Sequence, residues 1–531
     1  MLEALRASDP TALPSGPSEH FFEIIRSQSL RFPTREALVF QDERYTYSDV
    51  FNRVCAVGEQ LQAAGVKAGD KVGILFPNHP DYVAAFFAVA GLGATIVPIN
   101  PLLKADEIAH ILSDSDSSTL IVHENSLAEA LKSQRENGVL SRIFVSSKND
   151  IKEEKVENIE IKQLTRYKNA GRTVRWHQDF KPKKDLGLIV YTSGTTGKPK
   201  GAMLTHHNML SVFPERLDMF NLDKNDVTMA MLPMCHIYGI SILMFGTLAK
   251  GAKLIIVPKF DAAQVLQLVE REKVTLLPAV PAMYQFMMME RQKNNYKLSS
   301  VRLCFSGAAP LAHDLIKEVE AAFESILIEG FGLTESSCVA TINPMRGVRK
   351  VGSVGPALQT VQMRVINEEG QELPSGPENV GELCIKGPNI MQGYYKQPEA
   401  TAECIVDGWF ATGDLGYRDH DGYYFIVGRK KEMIIRGGAN IYPREIEDVI
   451  IKMPEVAEVA VLGVPEKLMG ERVKAVIVLK AGAQLSEEDV KAYCNEHLAE
   501  YKVPRIVEFI DLLPRNSTGK VLKRLLIDSA S

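Results

Sequence analysis

Cysteine is scarce in this chain and follows no pairing pattern: seven occur in 531 residues, none in a Cys-x-x-Cys spacing. An odd number without that spacing excludes a disulfide scaffold and a zinc ribbon, and fits a reducing compartment. Neither sign of charge is in excess. With 61 Lys and Arg against 66 Asp and Glu, the formal charge is −5, and no basic face announces a nucleic-acid partner. Long apolar runs are missing too. Tyr82 to Ile99 carries no charge, but Gly91, Gly93 and Pro98 interrupt it, so it reads as a buried helix, a glycine turn and a strand, not a membrane span. The first residues, M-L-E-A-L-R-A-S-D-P, lack the basic patch and apolar core of a secretory signal. The end, D-S-A-S, is neither a prenylation box nor S-K-L. These absences predict a cytoplasmic protein.

Helix and strand patterns alternate along most of the length. Ser48 can cap a helix whose apolar stripe runs through Phe51, Val54, Cys55 and Leu61 to Gly65, followed by the strand V-G-I-L-F at 72–76. Asp261 can cap a helix carrying Val265, Leu266 and Val269; the strands V-T-L-L (274–277), R-L-C-F (302–305) and I-L-I (326–328) follow, separated by helices. Continuous apolar strands between helices indicate parallel sheets covered on both faces. The charged stretch 133–160 reads as a solvated connection. After about 430 the chain restarts with Gly437-Gly438, a helix near Pro443, strands at 456–464 and 473–479 and a helix near Ser486. The fold class expected is α/β. A large N-terminal domain of mostly parallel sheets flanked by helices (1–430) precedes a small mobile C-terminal α+β domain (431–531).

The chemistry concentrates in glycine-rich segments. Y-T-S-G-T-T-G-K-P-K-G at 191–201 follows the apolar strand Leu186–Val190. Glycines admit an anion close to the backbone, hydroxyls donate hydrogen bonds and lysines add charge, so the segment suits phosphate; the competing reading is a surface turn. It is not a Walker loop, because Pro199 follows Lys198, and Gly330-Phe-Gly-Leu-Thr-Glu335 fails the dinucleotide spelling. Ser306-Gly-Ala-Ala-Pro310 and Glu329-Gly-Phe-Gly-Leu-Thr-Glu335 each follow a buried strand, where open α/β sheets bind ligands. Trp409-Phe-Ala-Thr-Gly-Asp-Leu415, Gly428-Arg-Lys-Lys431 and Pro514-Arg-Asn-Ser-Thr-Gly-Lys520 complete the series.

In this order the segments resemble the adenylate-forming superfamily of acyl-CoA synthetases, peptide-synthetase adenylation domains and beetle luciferases, over about 45 to 525. Pro233-Met-Cys-His-Ile-Tyr-Gly239 resembles most the fatty-acyl and 4-coumarate–CoA ligase branch. The resemblance implies that a carboxylate is joined to AMP with ATP and Mg2+, and the acyl group then passes to coenzyme A. Because a carboxylate must approach a polyanion, cations and oriented donors matter more than a base.

By resemblance, Thr192, Ser193, Gly194, Thr195, Thr196, Gly197 and Lys198 cradle the β and γ phosphates. Thr334 meets the α-phosphate and Glu335 holds the metal, whereas the plainer reading of that pair is a helix cap with an acidic first turn. Asp414 takes the ribose hydroxyls with Arg429, and Phe331 packs on adenine beside Gly307, Gly330 and Gly332. The family's usual Gln and Tyr are here Glu329 and Phe331. Lys520 corresponds to the catalytic lysine that bridges carboxylate and α-phosphate. Lys431 falls at the hinge, with Gly428 in place of the usual Asp, and Gly437 and Gly438 leave room for the pantetheine thiol.

His236, Ile237, Gly239, Val280, Met283, Ser306, Ala308 and Gly332 correspond to the acyl pocket. None carries a fixed charge, which favours a monocarboxylate with an apolar body, since an unpaired buried charge is costly. A medium- or long-chain fatty acid leads, with 4-coumarate or another aryl acid as rival. Loading of a carrier protein is the third reading. The expected partners are therefore the acid, ATP and coenzyme A, with no nucleic acid and no transmembrane segment.

Overall fold

The computed structural model describes residues 20–134, 138–156, 158–164, 174–192, 198–309, 311, 313–466, 468–515 and 521–527. Two eight-stranded sheets form its larger part. The first runs, in spatial order, Thr341–Ile342, Ile326–Phe331, Leu303–Ser306, Leu276–Ala279, Val227–Ala230, Lys253–Ile256, Glu36–Phe40 and Glu43–Thr46. The second runs Lys200–Thr205, Leu186–Thr192, Thr95–Ile99, Lys71–Leu75, Thr119–His123, Arg142–Ser146, Ile159–Gln163 and Glu154–Val156. In each sheet all neighbours are parallel except the outermost strand at either end, which is antiparallel.

The helix Pro80–Gly91 lies between these layers with every residue buried. His79 caps it by accepting from the Asp81 N–H, and Pro80 occupies the first turn, where no amide is needed. Phe86 and Phe87 meet Phe245 at 5.6 and 6.1 Å between ring centres. Phe245 belongs to Gly239–Gly246, an apolar π-helix, a winding that is rare and often marks functional sites.

A third sheet, of Gln362–Ile366, Gly381–Lys386, Trp409–Arg418, Ile405–Val406 and Tyr424–Arg429, is antiparallel throughout. The fourth begins at Ile434–Arg436, which turns through Gly437 and Gly438 into Ala439–Ile441. Their φ values of 56° and 82° are those of a tight hairpin turn that only glycine or asparagine enters readily. The long hairpin Val456–Glu466 and Gly470–Leu479 and the strand Ile506–Phe509 complete that sheet, with its own buried core around Ile434, Ile446, Val461 and Ile477.

Several local expectations shift. The second helix is Tyr47–Ala63, capped by Thr46 in a capping box with Asp49, not by Ser48. Its buried stripe is Val50, Val54, Val57 and Leu61, while Phe51 and Cys55 stay half-buried. The stretch 133–160 is not a mere connection. It contains the buried strand Arg142–Ser146 and reaches the sheet-edge strands Glu154–Val156 and Ile159–Gln163. Only Ile143, Phe144 and Val145 form an apolar run there, too short to stand out among flanking charges. Asp261 does cap Ala262–Glu272, and Ser486 caps Glu487–His497. Among the described residues no helix is long and apolar enough to cross a membrane.

Four histidines are held neutral inside this fold. Burial pushes the imidazoles of His20 and His206 down to about 2 and about 3, and those of His79 and His236 to about 4. An unfolded chain protonates them near 6.5, so unfolding takes up protons as the pH falls below that value. Stability present above pH 6.5 is therefore lost progressively toward pH 4, at about 1.4 kcal/mol per pH unit for each proton taken up. Urea midpoints between pH 7 and 5 should fall, the four imidazoles outweighing the opposite contribution of the raised carboxyl of Glu329; a flat profile would mean that these imidazoles titrate normally.

Candidate active site

The carboxyl ends of the two parallel sheets face one another, and one side chain fastens them. Asn78, just after Lys71–Leu75, is buried. Its amide nitrogen lies 3.2, 2.9 and 3.1 Å from the carbonyl oxygens of Ala230, Leu232 and Val257, at the ends of two strands of the other sheet. Its oxygen accepts from the Met234 N–H at 2.7 Å. The segment Pro233–Tyr238 is thereby held over the crevice, and it closes tightly, since a Cβ on Gly239 would lie 2.3 Å from the Pro233 carbonyl oxygen.

His236 sits on this segment. The Asn100 amide nitrogen lies 3.3 Å from its Nε2, and the Asn100 oxygen is committed to the Leu102 N–H at 2.9 Å. The amide orientation makes Asn100 the donor, so Nε2 accepts and the imidazole proton resides on Nδ1. Neutral down to about pH 4, His236 offers hydrogen bonds without a charge. Cys235 beside it is buried, and burial pushes its thiol up to about 12, which removes it as a nucleophile.

Ile237, Met283, Ala308 and Gly332 keep accessible surface around this segment, whereas Gly239, Val280 and Ser306 are sealed. Ala308 holds a φ of 68°, unusual for a residue with a Cβ and of a kind that clusters at ligand clamps. Tyr238 spans the crevice floor, donating to the Phe305 carbonyl at 3.1 Å. A Cβ on Gly307 would come within 3.6 Å of both the Gly330 oxygen and the Tyr238 ring.

The strand Ile326–Phe331 carries Glu329, Gly330 and Phe331 to this end. Glu329 is half-buried, and burial raises its carboxyl to about 7, opposed by the Arg444 guanidinium from the helix Pro443–Ile450. The turn beyond is closed on itself. A Cβ on Gly332 would lie 1.8 Å from the Cys338 oxygen, and Ser337 and Cys338 both adopt positive φ. Thr334 and Glu335 stand in a single 3-10 turn capped by Leu333 and Ser336, so Thr334 is not a helix cap.

Glu335 is buried. Its Oε1 accepts from the Tyr394 hydroxyl at 2.9 Å and from Thr192 Oγ1 at 3.4 Å. Thr192 ends the strand Leu186–Thr192, so both large sheets and the segment around Tyr394 meet at one carboxylate. Ser193, Gly194, Thr195, Thr196 and Gly197 lie outside the described residues, as does Lys520; Lys198 is exposed at the far side of that loop. In the third sheet Asp414 and Arg429 are register partners, with Nε 3.0 Å from Oδ1 and the carboxylate buried. Lys431, two residues after Arg429, and Gly437 and Gly438, in the first turn of the fourth sheet, are exposed.

A hard cation suits what is present. One carboxylate and one hydroxyl converge, both oxygen donors, and among the described residues no group of three or more His, Cys, Asp or Glu forms a full metal cage. Mg2+ is commonly held in this way, by one or two carboxylates together with substrate phosphates and water. Sequence reasoning missed Asn78, Asn100 and Tyr394. Asn78 and Asn100 act through contacts made only in the fold, and Tyr394 lies in an unremarkable Gly-Tyr-Tyr-Lys run.

Residues 25–395 match the family model of AMP-binding enzymes, and residues 445–520 match the AMP-binding enzyme C-terminal domain. The chain is 32% identical to a long-chain-fatty-acid–CoA ligase of Bacillus subtilis (strain 168), over 96% of this chain and 95% of that one. It is 36% identical to a feruloyl-CoA synthase of an Amycolatopsis species, over 90% and 92%. Among solved structures, ATP-bound MatB from Rhodopseudomonas palustris superposes with a TM-score of 0.84 at 31% identity, covering 96% of this chain and 98% of that one. The chain belongs to the AMP-binding enzyme family. It is an AMP-forming acyl-CoA synthetase, using ATP and coenzyme A.

Gly332 offers a direct check on the crevice. Gly332→Ala forces the turn before Thr334 and Glu335 off the Cys338 oxygen, a displacement of about an ångström that can cost on the order of 10²-fold in rate. The expected outcome is that loss in pyrophosphate release together with a lower melting temperature, since every atom the new Cβ meets is backbone. Wild-type turnover would mean that the turn is not part of the site.

Proposed function

We propose that the acid activated is a hydrophobic monocarboxylate, a medium- or long-chain fatty acid before an aryl acid such as 4-coumarate. The observation that carries this is the neutral His236 among uncharged neighbours: Ile237, Met283, Ala308 and Gly332, which keep accessible surface there, provide no fixed charge for a second carboxylate or an amine, and neither do the sealed Gly239, Val280 and Ser306 behind them. The relatives named above, which act on long-chain fatty acids and on ferulate, support both candidates. Carrier-protein loading is disfavoured by the same lining, because an amino acid needs a buried acidic partner.

In the first half-reaction an oxygen of the substrate carboxylate forms a bond to the α-phosphorus of ATP while the bond to pyrophosphate breaks. The loop 192–198 holds the β and γ phosphates, Thr334 donates to the α-phosphate, and Asp414 accepts from the ribose hydroxyls with Arg429 fixing its carboxylate. Phe331 covers adenine beside Gly307 and Gly330. Glu335, which Thr192 reaches at 3.4 Å, would hold Mg2+, and the cation would neutralise phosphate charge there. Lys520 supplies a compact positive charge where carboxylate and phosphate meet. In the second half-reaction the coenzyme A sulfur bonds to the acyl carbon and AMP leaves. The chain divides for this at 430/431, and the small domain pivots at Lys431 to bring Gly437 and Gly438 to the thiol. We place the enzyme in the cytoplasm, without nucleic-acid partners.

Mass spectrometry after incubation with ATP, Mg2+, coenzyme A and acids from acetate to oleate, benzoate and 4-coumarate tests the reading. AMP with a fatty acyl-CoA is expected; acyl-adenylate without thioester, or ADP, would overturn it. Lys520→Ala should reduce adenylation by at least about 10²-fold, the scale of one lost transition-state contact, and normal adenylate formation would remove that assignment.

Gly438 separates the two half-reactions. Its positive φ admits asparagine, and a Cβ there meets nothing within 4 Å. Gly438→Asn should keep the turn, whereas Gly438→Phe should spare adenylate formation and depress acyl-CoA formation. Equal loss of both steps would count against the pivot.

A further inference from the structure

The carboxylate assigned to Mg2+ is held by a residue that neither motif contains. Tyr394 donates its hydroxyl to Glu335 Oε1 at 2.9 Å, and Thr192 reaches the same oxygen at 3.4 Å. Among the described residues both bonds fall on Oε1, so Oε2 is the oxygen left to face a cation. The phenol is itself fixed. Its backbone N–H donates to Thr401 Oγ1 at 2.8 Å, its residue bridges to Ala202, and the Lys200 ammonium stands 5.1 Å from the ring centre.

The flanking backbone forms a strap along the strand Lys200–Thr205. Met203 N–H donates to the Gly393 carbonyl at 2.9 Å, Gln392 N–H to the Met203 carbonyl at 2.9 Å, and Tyr395 N–H to the Gly201 carbonyl at 2.8 Å. Met391 N–H donates to the Glu335 carbonyl at 2.8 Å. One short segment thus grips Glu335 at both its main chain and its side chain.

We propose that Tyr394 is the positioning residue of the metal site, turning the Glu335 carboxylate so that one oxygen is fixed to protein and the other is presented to the cation. This rests on the reading of Glu335 as the metal-holding carboxylate. A neutral donor fits that role. A lysine or arginine there would cancel the negative charge the cation needs, whereas a phenol orients the carboxylate and leaves its charge in place. Partners of this kind commonly set metal affinity by about 10-fold to 100-fold when removed.

The test is Mn2+ binding, read by electron paramagnetic resonance in the presence of a non-hydrolysable ATP analogue, on the full chain. Tyr394→Phe keeps the ring and removes only the hydroxyl. It should weaken Mn2+ binding by about tenfold, leave metal-free nucleotide affinity unchanged, and raise the Mg2+ concentration needed for half-maximal pyrophosphate release. Tyr395→Phe, which loses a bond to Asp116 instead, should bind Mn2+ as the wild type does. Wild-type Mn2+ affinity in Tyr394→Phe, or an equal loss of metal-free nucleotide binding, overturns the proposal. Glu335→Gln separates the two levels: if it binds Mn2+ normally, the metal assignment itself fails, whereas loss there with none in Tyr394→Phe sinks only the role of Tyr394.

Discussion

Asn78 makes the contact on which the crevice depends. A parallel strand ends in carbonyls and amides with no further neighbour, and where two such sheets meet end to end those groups are buried away from water. One amide side chain answers four of them at once, from Ala230, Leu232, Val257 and Met234. Leaving a buried polar group without its partner costs roughly 1–3 kcal/mol, so no apolar residue of similar size can replace it. The geometric result matters more than the energy. The two sets of strand ends, where α/β sheets bind ligands, are held at one register, and the loop bearing His236 is tethered at Met234, two residues away.

The electrostatics of the crevice follow from that closure. Burial keeps His236 neutral down to about pH 4 although part of its surface stays accessible, and Asn100 decides which nitrogen carries its proton. Glu329 is half-buried, and burial lifts its carboxyl to about 7 while Arg444, from a much later helix, pulls it back. A carboxylate substrate approaching a triphosphate would be repelled by extra negative charge, so a carboxyl raised by burial and an uncharged His236 suit the chemistry better than ordinary ionised groups would. Asp414 and Glu335 are set by their partners instead. Each faces a donor fixed by another strand or segment, Arg429 for the first and Thr192 with Tyr394 for the second.

The parts legible in the sequence were those whose cause is local. The buried helix Pro80–Gly91 and the strand Thr95–Ile99 were readable from an uninterrupted apolar run divided by glycines. Asp261 and Ser486 announced their helices because a cap bonds within three residues. The glycines of the Gly330–Glu335 turn could be noticed, yet the reason for Gly332, an approach to the Cys338 oxygen, exists only once the turn has folded. Thr46 displaced Ser48 as a cap because its capping box with Asp49 satisfies two amides at once. The strand Arg142–Ser146 was hidden by the charges around it, since its three apolar residues are placed by pairing with Thr119–His123 and not by any pattern of their own. Asn78, Asn100 and Tyr394 were invisible for the same reason in stronger form: each bonds to residues more than 50 positions away.

The third sheet shows why such distant bonds are concentrated at the site. Taken alone it is an antiparallel unit beyond the second large sheet, and its strands could have been attached anywhere. It is attached instead through the strap at 391–395, which adds main-chain bonds to the strand Lys200–Thr205 and reaches Glu335. It also bears Asp414 and Arg429, at the end nearest the start of the fourth sheet. A nucleotide held between Glu335 and Asp414 would therefore touch residues from both large sheets and the third one, and its binding energy would draw the three together. The fourth sheet begins five residues after Arg429, at Ile434, so the chain runs from the Asp414–Arg429 pair directly into the small C-terminal sheet. The third sheet and the start of the fourth therefore lie on one continuous stretch of chain.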